Sequence, residues 1–226
     1  MKSGPNTHKI SLVENGKQKK QFIKFPYKHY SHNKYWVPPL LMEQKKLLDP
    51  KKNPFFNQAD IALFNADYNG EMSGRIAAII DHRYNEFHGT KTGFFGFFES
   101  IDNQATADLL LRVAEGWLDE RGMKNVLGPA NPGMMDEIGI LVDGFEKYPS
   151  ILMPYNKVYY DKLLKNGGYQ QEMDLLTYRV SQSSVDRGRA ERAVQIVKKR
   201  LPGIHIRKIK IKKIRDEVKI ISEIFN

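Results

Sequence analysis

Few residues of this 226-residue chain combine a reactive type with a suggestive position. A carboxylate, Glu137, and an amide, Asn131, lie six residues apart in a long stretch with no evident helix or strand. Glu137 could accept a proton as a general base, directly or through water, or could form a helix cap or a salt bridge. Asn131 could hydrogen-bond a carbonyl group or stabilise its own turn.

Other kinds of catalytic site are excluded or disfavoured by the composition. The chain has no cysteine, which excludes disulfides, thiolate nucleophiles and cysteine-ligated metals. Asp81, His82 and His88 match no standard metal-ligand spacing and fit a solvated loop better. No Ser-His-Asp arrangement, Walker loop or dinucleotide-binding glycine motif is legible. The sequence therefore predicts no metal cofactor.

The net charge of +10 is concentrated at the two ends of the chain. Residues 1–34 contain eight basic residues and one acidic residue, and residues 181–226 contain thirteen basic and five acidic residues, so the part between them is mildly acidic. A nucleic-acid-binding module would carry its basic charge on the folded body, so no nucleic acid is expected as a partner. Each basic end is either simply solvated or contacts an acidic protein, such as an acyl carrier protein, or anionic lipid head groups.

The sequence also predicts where the chain resides. No apolar run approaches the roughly 18 residues that a membrane-spanning helix needs. The N-terminal residues lack the apolar region of a cleaved signal. Together with the absence of cysteine, these features predict a cytoplasmic protein without a transmembrane segment.

The elements that position the candidate residues are predicted from periodicity and turn signals. The dipeptide Asn69-Gly70 predicts a tight hairpin between the second and third strands. Asp102 is the expected N-cap of the longest helix. Helices are expected to end near Leu48 and to span 103–121 and 156–166. Strands are expected at 19–25, 61–66, 74–81, 93–99, 124–127 and 174–180.

The composition changes after residue 180. A serine-rich linker, 181–188, separates residues 1–180 from a basic helix at 189–201. An alternating strand at 204–211 and the beginning of a helix at 216–225 are expected to follow. So few elements cannot bury a core, which predicts that 189–226 begins a second, incomplete domain.

The order of the elements resembles the GNAT (acyl-CoA N-acyltransferase) superfamily, and more narrowly a bacterial branch built from two GNAT-like halves. This resemblance implies an α/β (α+β) fold with a central mixed sheet flanked by helices. The residues that carry it span about 36–180. They are Trp36-Val-Pro-Pro-Leu, Asn53-Pro-Phe-Phe, Gly74-Arg-Ile-Ala-Ala-Ile, Gly93-Phe-Phe-Gly-Phe-Phe-Glu, Gly128-Pro-Ala-Asn, Leu141-Val-Asp-Gly-Phe and Tyr155-Asn-Lys-Val-Tyr-Tyr.

The resemblance implies transfer of an acyl group from a CoA or carrier-protein thioester to an amine. In such folds the fourth and fifth strands part, and the pantetheine of the donor pairs with the exposed strand edge, here Phe97, Phe98 and Glu99. The pyrophosphate then lies on the N-terminus of the following helix, here Asn103, Gln104 and Ala105.

Two features depart from the superfamily pattern. Residues 99–105 contain no glycine and include two carboxylates, which oppose a pyrophosphate. The tyrosine that commonly acts as general acid would fall at Leu164. Tyr160, about one turn earlier, could protonate a departing thiolate only if the helix were shifted, and otherwise packs in the core.

Two functions therefore remain open. The chain is an N-acyltransferase, or one half of one, and analogy with GNAT-like bacterial ceramide synthases indicates a lipidic amine as acceptor. Alternatively, it is a non-catalytic binding or structural half, whose active site lies in another half. In either case the long stretch 128–155 is expected to bury its many apolar side chains. We expect it to line the largest pocket, with Asn131 and Glu137 at the mouth.

Overall fold

The computed structural model describes residues 7–132, 137–178, 180–181, 186–201, 203 and 207–225. The chain divides into two compact units, Met1–Leu175 and Leu176–Asn226. Most of the expected linker, residues 182–185, lies outside the described residues. The three-part organisation 1–180, 181–188 and 189–226 therefore stays a prediction.

The first unit is built on a five-stranded mixed sheet with the strand order β1-β2-β3-β4-β5. Neighbouring strands are antiparallel except for β4 and β5, which are parallel. The mixed sheet flanked by helices confirms the fold class that the sequence predicts. The strands are β1 His8–Leu12, β2 Ala59–Tyr68, β3 Glu71–Asp81, β4 Thr92–Ser100 and β5 Asn125–Leu127.

Short helices and one long helix surround this sheet. A 3-10 turn, Pro54–Asn57, precedes β2. The helices of the first unit are α1 Gly16–His29, α2 Leu41–Leu47, α3 His82–His88, α4 Gln104–Asp119 and α5 Tyr160–Asn166. The second unit contains α6 Arg187–Arg200, a 3-10 turn Ile211–Lys213 and α7 Ile214–Phe225.

Apolar side chains cover both faces of the sheet, because alternate residues of each strand point to opposite sides. On one face, Ile76, Ala78 and Ile80 of β3 belong to a cluster that includes the buried residues of α4 and α5. On the other face, Ala77 and Ile79 belong to a cluster with residues of α1. This double coverage explains why β3 is a nearly continuous apolar run.

The predicted hairpin and the main strands are confirmed. Asn69 and Gly70 have φ angles of +52° and +84°, the left-handed values that a tight hairpin turn requires. The expected strands at 61–66, 74–81, 93–99 and 124–127 correspond to β2, β3, β4 and β5. The long helix is present as α4, although Asn103 rather than Asp102 caps it, since the Asn103 side chain accepts the Thr106 N–H.

The largest error of the sequence prediction concerns residues 19–25, which form part of helix α1 and not a strand. Asn15 and Gln18 form a reciprocal capping box at the start of this helix. Phe22, Phe25 and Pro26, which are spaced three and four residues apart, are buried on its inner side. Pro26 cannot donate the usual helical hydrogen bond to the carbonyl of Phe22, which is therefore available to another donor.

Other expected elements differ as well. Part of the polar loop expected at 82–92 is helix α3, because the Asp81 side chain caps it by accepting the Tyr84 N–H. The helix expected at 156–166 begins only at Tyr160. The expected strand 174–180 has no regular structure at 174–178 or 180. Residues 207–210 likewise form no strand, and 204–206 lie outside the described residues.

Gly96 on β4 tests how closely the chain after β5 packs on this strand. A Cβ atom at Gly96 would clash with the carbonyl oxygen of Ala130, so Gly96→Ala must displace that backbone. We expect a loss of about 1–3 kcal/mol in the free energy of unfolding, measured with urea. The control is Gly116→Ala in α4, where nothing lies within 4 Å of the added Cβ. This variant should gain about 0.5–1 kcal/mol. Equal stabilities for the two variants would contradict the close packing at Gly96.

Candidate active site

The candidate site lies where β4 and β5 part. The two strands pair only from Thr92 and Asn125 to Phe94 and Leu127, while β4 continues to Ser100. Beyond the pairing, the Ala130 N–H donates to the carbonyl of Phe95 at 2.8 Å. Beyond Phe94, no strand of the described residues pairs with β4 on this side, and we call this unpaired edge the gap between β4 and β5.

A β-bulge in β4 shapes this gap. Ala77 of β3 lies opposite Gly96, but Arg75 lies opposite Glu99, so β4 has one extra residue between the two pairs. Phe97 in this bulge has a φ angle of +50°, an unusual value for a residue with a side chain. The side chain of Asn131 accepts the Phe97 N–H at 2.8 Å, which fixes the bulged backbone.

A buried ion pair lies behind the bulge. The Arg75 Nη2 and Glu99 Oε1 atoms are 3.7 Å apart, and the two side chains are 7% and 13% exposed. Arg75 Nη1 donates to the carbonyl of Phe22 at 2.9 Å, the carbonyl that Pro26 leaves free in α1. The Arg75 guanidinium also lies 5.0 Å and 5.4 Å from the ring centres of Phe22 and Phe97.

Two tyrosines complete the surroundings of this carboxylate. The hydroxyls of Tyr30, at the end of α1, and Tyr160, at the start of α5, both donate to Glu99 Oε2 at 2.6 Å. Tyr160 Oη also accepts the Ser100 N–H at 3.0 Å. Burial raises the pKa of Glu99, an effect that Arg75 and the two phenols oppose. Burial and Glu99 raise the pKa of both phenols well above the usual value, so both remain protonated donors.

A histidine and a third tyrosine extend the network toward the surface. His29 Nε2 lies 3.2 Å from Tyr160 Oη and 3.3 Å from Tyr159 Oη. Tyr159 also donates to the carbonyl of Ser100 at 2.9 Å. Burial, with smaller effects of Lys157 and Arg75, lowers the pKa of His29 to about 4. His29 is therefore neutral at pH 7.

Two of the residues predicted from the sequence come together at the mouth of the gap. The Asn131 N–H donates to the carbonyl of Glu137 at 3.0 Å, and Asn131 Nδ2 lies 3.4 Å from Glu137 Oε2. Glu137 is exposed to solvent. An exposed carboxylate held by an amide on the edge of a parted sheet can act as a base toward a bound nucleophile.

The residues expected to hold the donor's pantetheine lie mostly in other contacts. Phe97 and Phe98 are 5% and 6% exposed and belong to the clusters on opposite faces of the sheet. Glu99 points into the buried network and not toward a ligand. Asn131 occupies the Phe97 N–H, and Tyr160 and Tyr159 occupy the N–H and carbonyl of Ser100. The β4 edge is therefore bridged by the protein's own side chains.

At the start of α4, where the pyrophosphate of the donor is expected, two of the three predicted residues also contact other parts of the protein. Asn103 accepts the Thr106 N–H as the helix cap. Gln104 donates to the carbonyl of Leu163 at 3.0 Å, which ties α4 to α5. Ala105 is exposed.

The expectation that 128–155 buries its apolar residues is wrong for much of the stretch, and the expectation that it lines the largest pocket stays a prediction. A cavity of about 830 Å³ in the first unit is lined by residues of α1, α2 and their flanking segments. Met134 and Met135 lie outside the described residues. The side chains that are 41–90% exposed include Ile138, Val142, Ile151, Leu152 and Met153.

The sequence reading missed His29, Tyr30 and Arg75. His29 lies in the last turn of α1 and Tyr30 directly follows it, and the sequence did not predict this helix. Arg75 does carry a signal, because a charged residue inside a continuous apolar strand must find a buried partner. Asp81, His82 and His88 do not converge on a metal site. The described residues contain no group of three potential metal ligands.

The comparisons with known proteins identify long bacterial relatives. No protein-family model matches the chain. The chain is 35% identical over 209 residues to "Bacterial ceramide synthase" of Caulobacter vibrioides. This match covers 92% of this chain and 54% of that protein. The chain is 32% identical over 208 residues to "Protein YghO" of Escherichia coli. This match covers 92% of this chain and 52% of that protein. The chain thus spans about half the length of these relatives.

Among solved structures, the chain is similar to a predicted acetyltransferase with acetyl-CoA from Clostridium acetobutylicum. The identity is 12%, the match covers 76% of this chain and 96% of that chain, and the TM-score is 0.48.

The buried ion pair generates the first prediction for the site. Glu99→Gln keeps an acceptor for the two phenols but leaves the Arg75 charge unpaired, so we expect a loss of about 3–5 kcal/mol in the free energy of unfolding. Arg75→Met combined with Glu99→Gln should recover most of this loss, because no buried charge is left uncompensated. Urea unfolding of both single variants and the double variant measures the coupling. Additive losses would show that the two side chains do not stabilise each other.

The neutral state of His29 generates a pH prediction. Its pKa of about 4 in the folded chain lies below the ordinary value of about 6.5. Between these values the unfolded chain binds the proton more readily, so the free energy of unfolding falls as the pH falls from 6.5 to 4. We expect a contribution of about 3 kcal/mol, fully present above pH 6.5. His29→Gln should lack this part of the pH dependence in urea unfolding at pH 7 and 4.5. The same slope in both proteins would assign the effect to other groups.

Proposed function

We propose that this chain forms part of an N-acyltransferase, which transfers an acyl group from a CoA or carrier-protein thioester to an amine. The observation that carries the proposal is the 35% identity to a bacterial ceramide synthase over 92% of the chain. A ceramide is the amide of a long-chain amine, so the similarity favours a lipidic amine as acceptor. The absence of cysteine agrees with the cytoplasmic location that we propose.

The geometry suggests roles for two residues at the mouth of the gap. The amine nitrogen attacks the thioester carbonyl, the new C–N bond forms, and the C–S bond breaks. We assign to Glu137 the proton that the amine loses, because its carboxylate is exposed and lies beside the β4 edge. Asn131 links Glu137 to the bulged backbone of Phe97 and thus positions it. The departing thiolate takes its proton from solvent.

A positioning role suits Tyr160 better than the general-acid role considered from the sequence. Its hydroxyl is buried, donates to Glu99 and accepts the Ser100 N–H. A phenol whose pKa is raised by burial and by a neighbouring carboxylate is a weak acid toward a thiolate. We propose that Tyr160, Tyr30 and Arg75 hold Glu99 and, through it, the end of β4.

The contacts on the donor side of the site favour a binding mode for the acyl donor that differs from the usual binding mode of CoA. The N–H groups of Phe97 and Ser100, with which pantetheine would pair, already bind side chains. The start of α4 has no glycine, and Gln104 is tied to α5. These contacts also support the alternative function, a non-catalytic GNAT-like half that binds a ligand or partner while catalysis takes place elsewhere. An acidic carrier protein remains a proposed partner under either function.

Substitution at the gap tests the proposal. The purified chain is incubated with long-chain acyl-CoA or acyl carrier protein and a long-chain amine, and the amide product is measured by mass spectrometry. Asn131→Ala and Glu137→Gln should each lower the rate at least about 100-fold, because general-base catalysis contributes 10²–10⁴-fold. The melting temperature of Glu137→Gln should change by less than about 2 °C, because this side chain is exposed. Asn131→Ala should also lower the melting temperature, because it leaves the Phe97 N–H without its acceptor.

Glu146→Gln is the matched control, since this exposed carboxylate lies in the same long stretch. It should leave the rate unchanged. Full activity of the Asn131 and Glu137 variants would remove these residues from the site. Absence of transfer by the unmodified chain with every donor would favour the non-catalytic alternative.

A further inference from the structure

A strongly basic surface lies between helices α1 and α2. Its residues precede in the sequence the candidate active site residues on α5 and in the 128–155 stretch. It forms a cavity of about 830 Å³. We call it the α1–α2 surface and define it by the residues that line the cavity. These are Gly16, Lys19, Lys20, Ile23, Lys24, Leu41, Met42, Lys45, Lys46, Asp49 and Lys52.

The positive charge of this surface is mostly uncompensated. Six of its residues are lysines, and its single acidic residue, Asp49, lies 3.7 Å from Lys52. Lys19 donates to the carbonyl of Leu48. Within the part of the chain that the structure describes, no salt bridge joins the other four lysines to a carboxylate. Such a surface attracts an anionic partner.

An exposed apolar segment borders the same surface. Residues 37–42, Val-Pro-Pro-Leu-Leu-Met, are all exposed, and Leu40 and Met42 are 63% and 75% exposed. The segment is held in place, because Tyr27 Oη donates to the carbonyl of Pro39 at 2.6 Å. Trp36, just before it, packs against Tyr27 and Tyr30. A fixed run of six exposed apolar residues is unusual for a surface that faces only water.

We propose that the α1–α2 surface binds an anionic lipid bilayer, with Leu40, Leu41 and Met42 inserted among the acyl chains and the lysines at the head groups. Peripheral membrane binding combines this kind of apolar insertion with basic residues at the interface. An acidic protein would match the lysines but would not account for the neighbouring apolar run. Each lysine near an anionic bilayer contributes roughly a fivefold gain in partitioning.

This inference does not depend on the proposed acyl transfer. In the described residues no helix is both long enough and apolar enough to cross a bilayer. If the acceptor is a lipidic amine, membrane binding would bring the protein to it.

Vesicle co-sedimentation of the full chain tests the charge part of the proposal. We expect binding to vesicles of phosphatidylcholine mixed with phosphatidylglycerol and little binding to phosphatidylcholine alone. Lys45→Glu with Lys46→Glu should lower the partition coefficient at least about tenfold. The matched control, Lys198→Glu with Lys199→Glu in α6, makes the same change of charge at exposed positions and should bind as the unmodified chain does. An equal loss in both pairs would assign binding to overall charge and overturn the proposal.

A second pair of variants tests insertion. Leu40→Ser with Met42→Ser keeps every charge, and both side chains are exposed, so the fold should be retained and is checked by circular dichroism. We expect at least a fivefold loss of binding to the anionic vesicles. Unchanged binding would show that the surface recognises charge alone. Tighter binding of the unmodified chain to soluble polyglutamate than to the vesicles would identify an acidic protein as the partner instead.

Discussion

The structure around the candidate site depends on one buried ion pair, Arg75 with Glu99. Taking both charges out of water is costly, and nearby hydrogen-bond partners offset part of this cost, although the buried Arg75 Nε has no hydrogen-bond partner among the described residues. The ion pair connects four elements, α1, α5, β3 and β4. Arg75 lies on β3 and Glu99 on β4, α1 provides the carbonyl of Phe22 and the phenol of Tyr30, and α5 provides the phenol of Tyr160. The ion pair therefore fixes the relative positions of the elements that enclose the gap between β4 and β5.

The bulge in β4 turns this internal constraint into a surface feature. The extra residue at Phe97 places Glu99 opposite Arg75 and leaves a backbone N–H that Asn131 binds. Asn131 in turn contacts Glu137 at the surface. A continuous set of contacts thus joins the buried charges to the exposed carboxylate. The edge of β4 that would otherwise be open is bridged by side chains, which distinguishes this site from the strand-edge arrangement that the resemblance implies.

Elements with local signals could be predicted from the sequence, and elements that depend on distant partners could not. The Asn69-Gly70 turn, the apolar run of β3 and the helical spacing of α4 are encoded by neighbouring residues. Residues 19–25 are apolar and basic in a pattern that fits either a strand or a helix, and the capping box at Asn15 decides for the helix. That error hid His29 and Tyr30. The contact between Asn131 and Glu137 could be expected because they lie in one loop, whereas Arg75, Glu99 and Tyr160 are brought together only by the fold.

Pro26 links a local defect to this long-range arrangement. A proline inside a helix normally weakens it, because one carbonyl of the preceding turn loses its donor. In α1 that carbonyl, on Phe22, receives the guanidinium of Arg75 instead. The helix interior and a strand some fifty residues away in the sequence therefore share one hydrogen bond. The two positions should therefore evolve together. Without the arginine, a residue other than proline at position 26 would stabilise the helix, because its N–H would bind the Phe22 carbonyl. With the arginine present, that N–H would compete with the guanidinium for the same carbonyl.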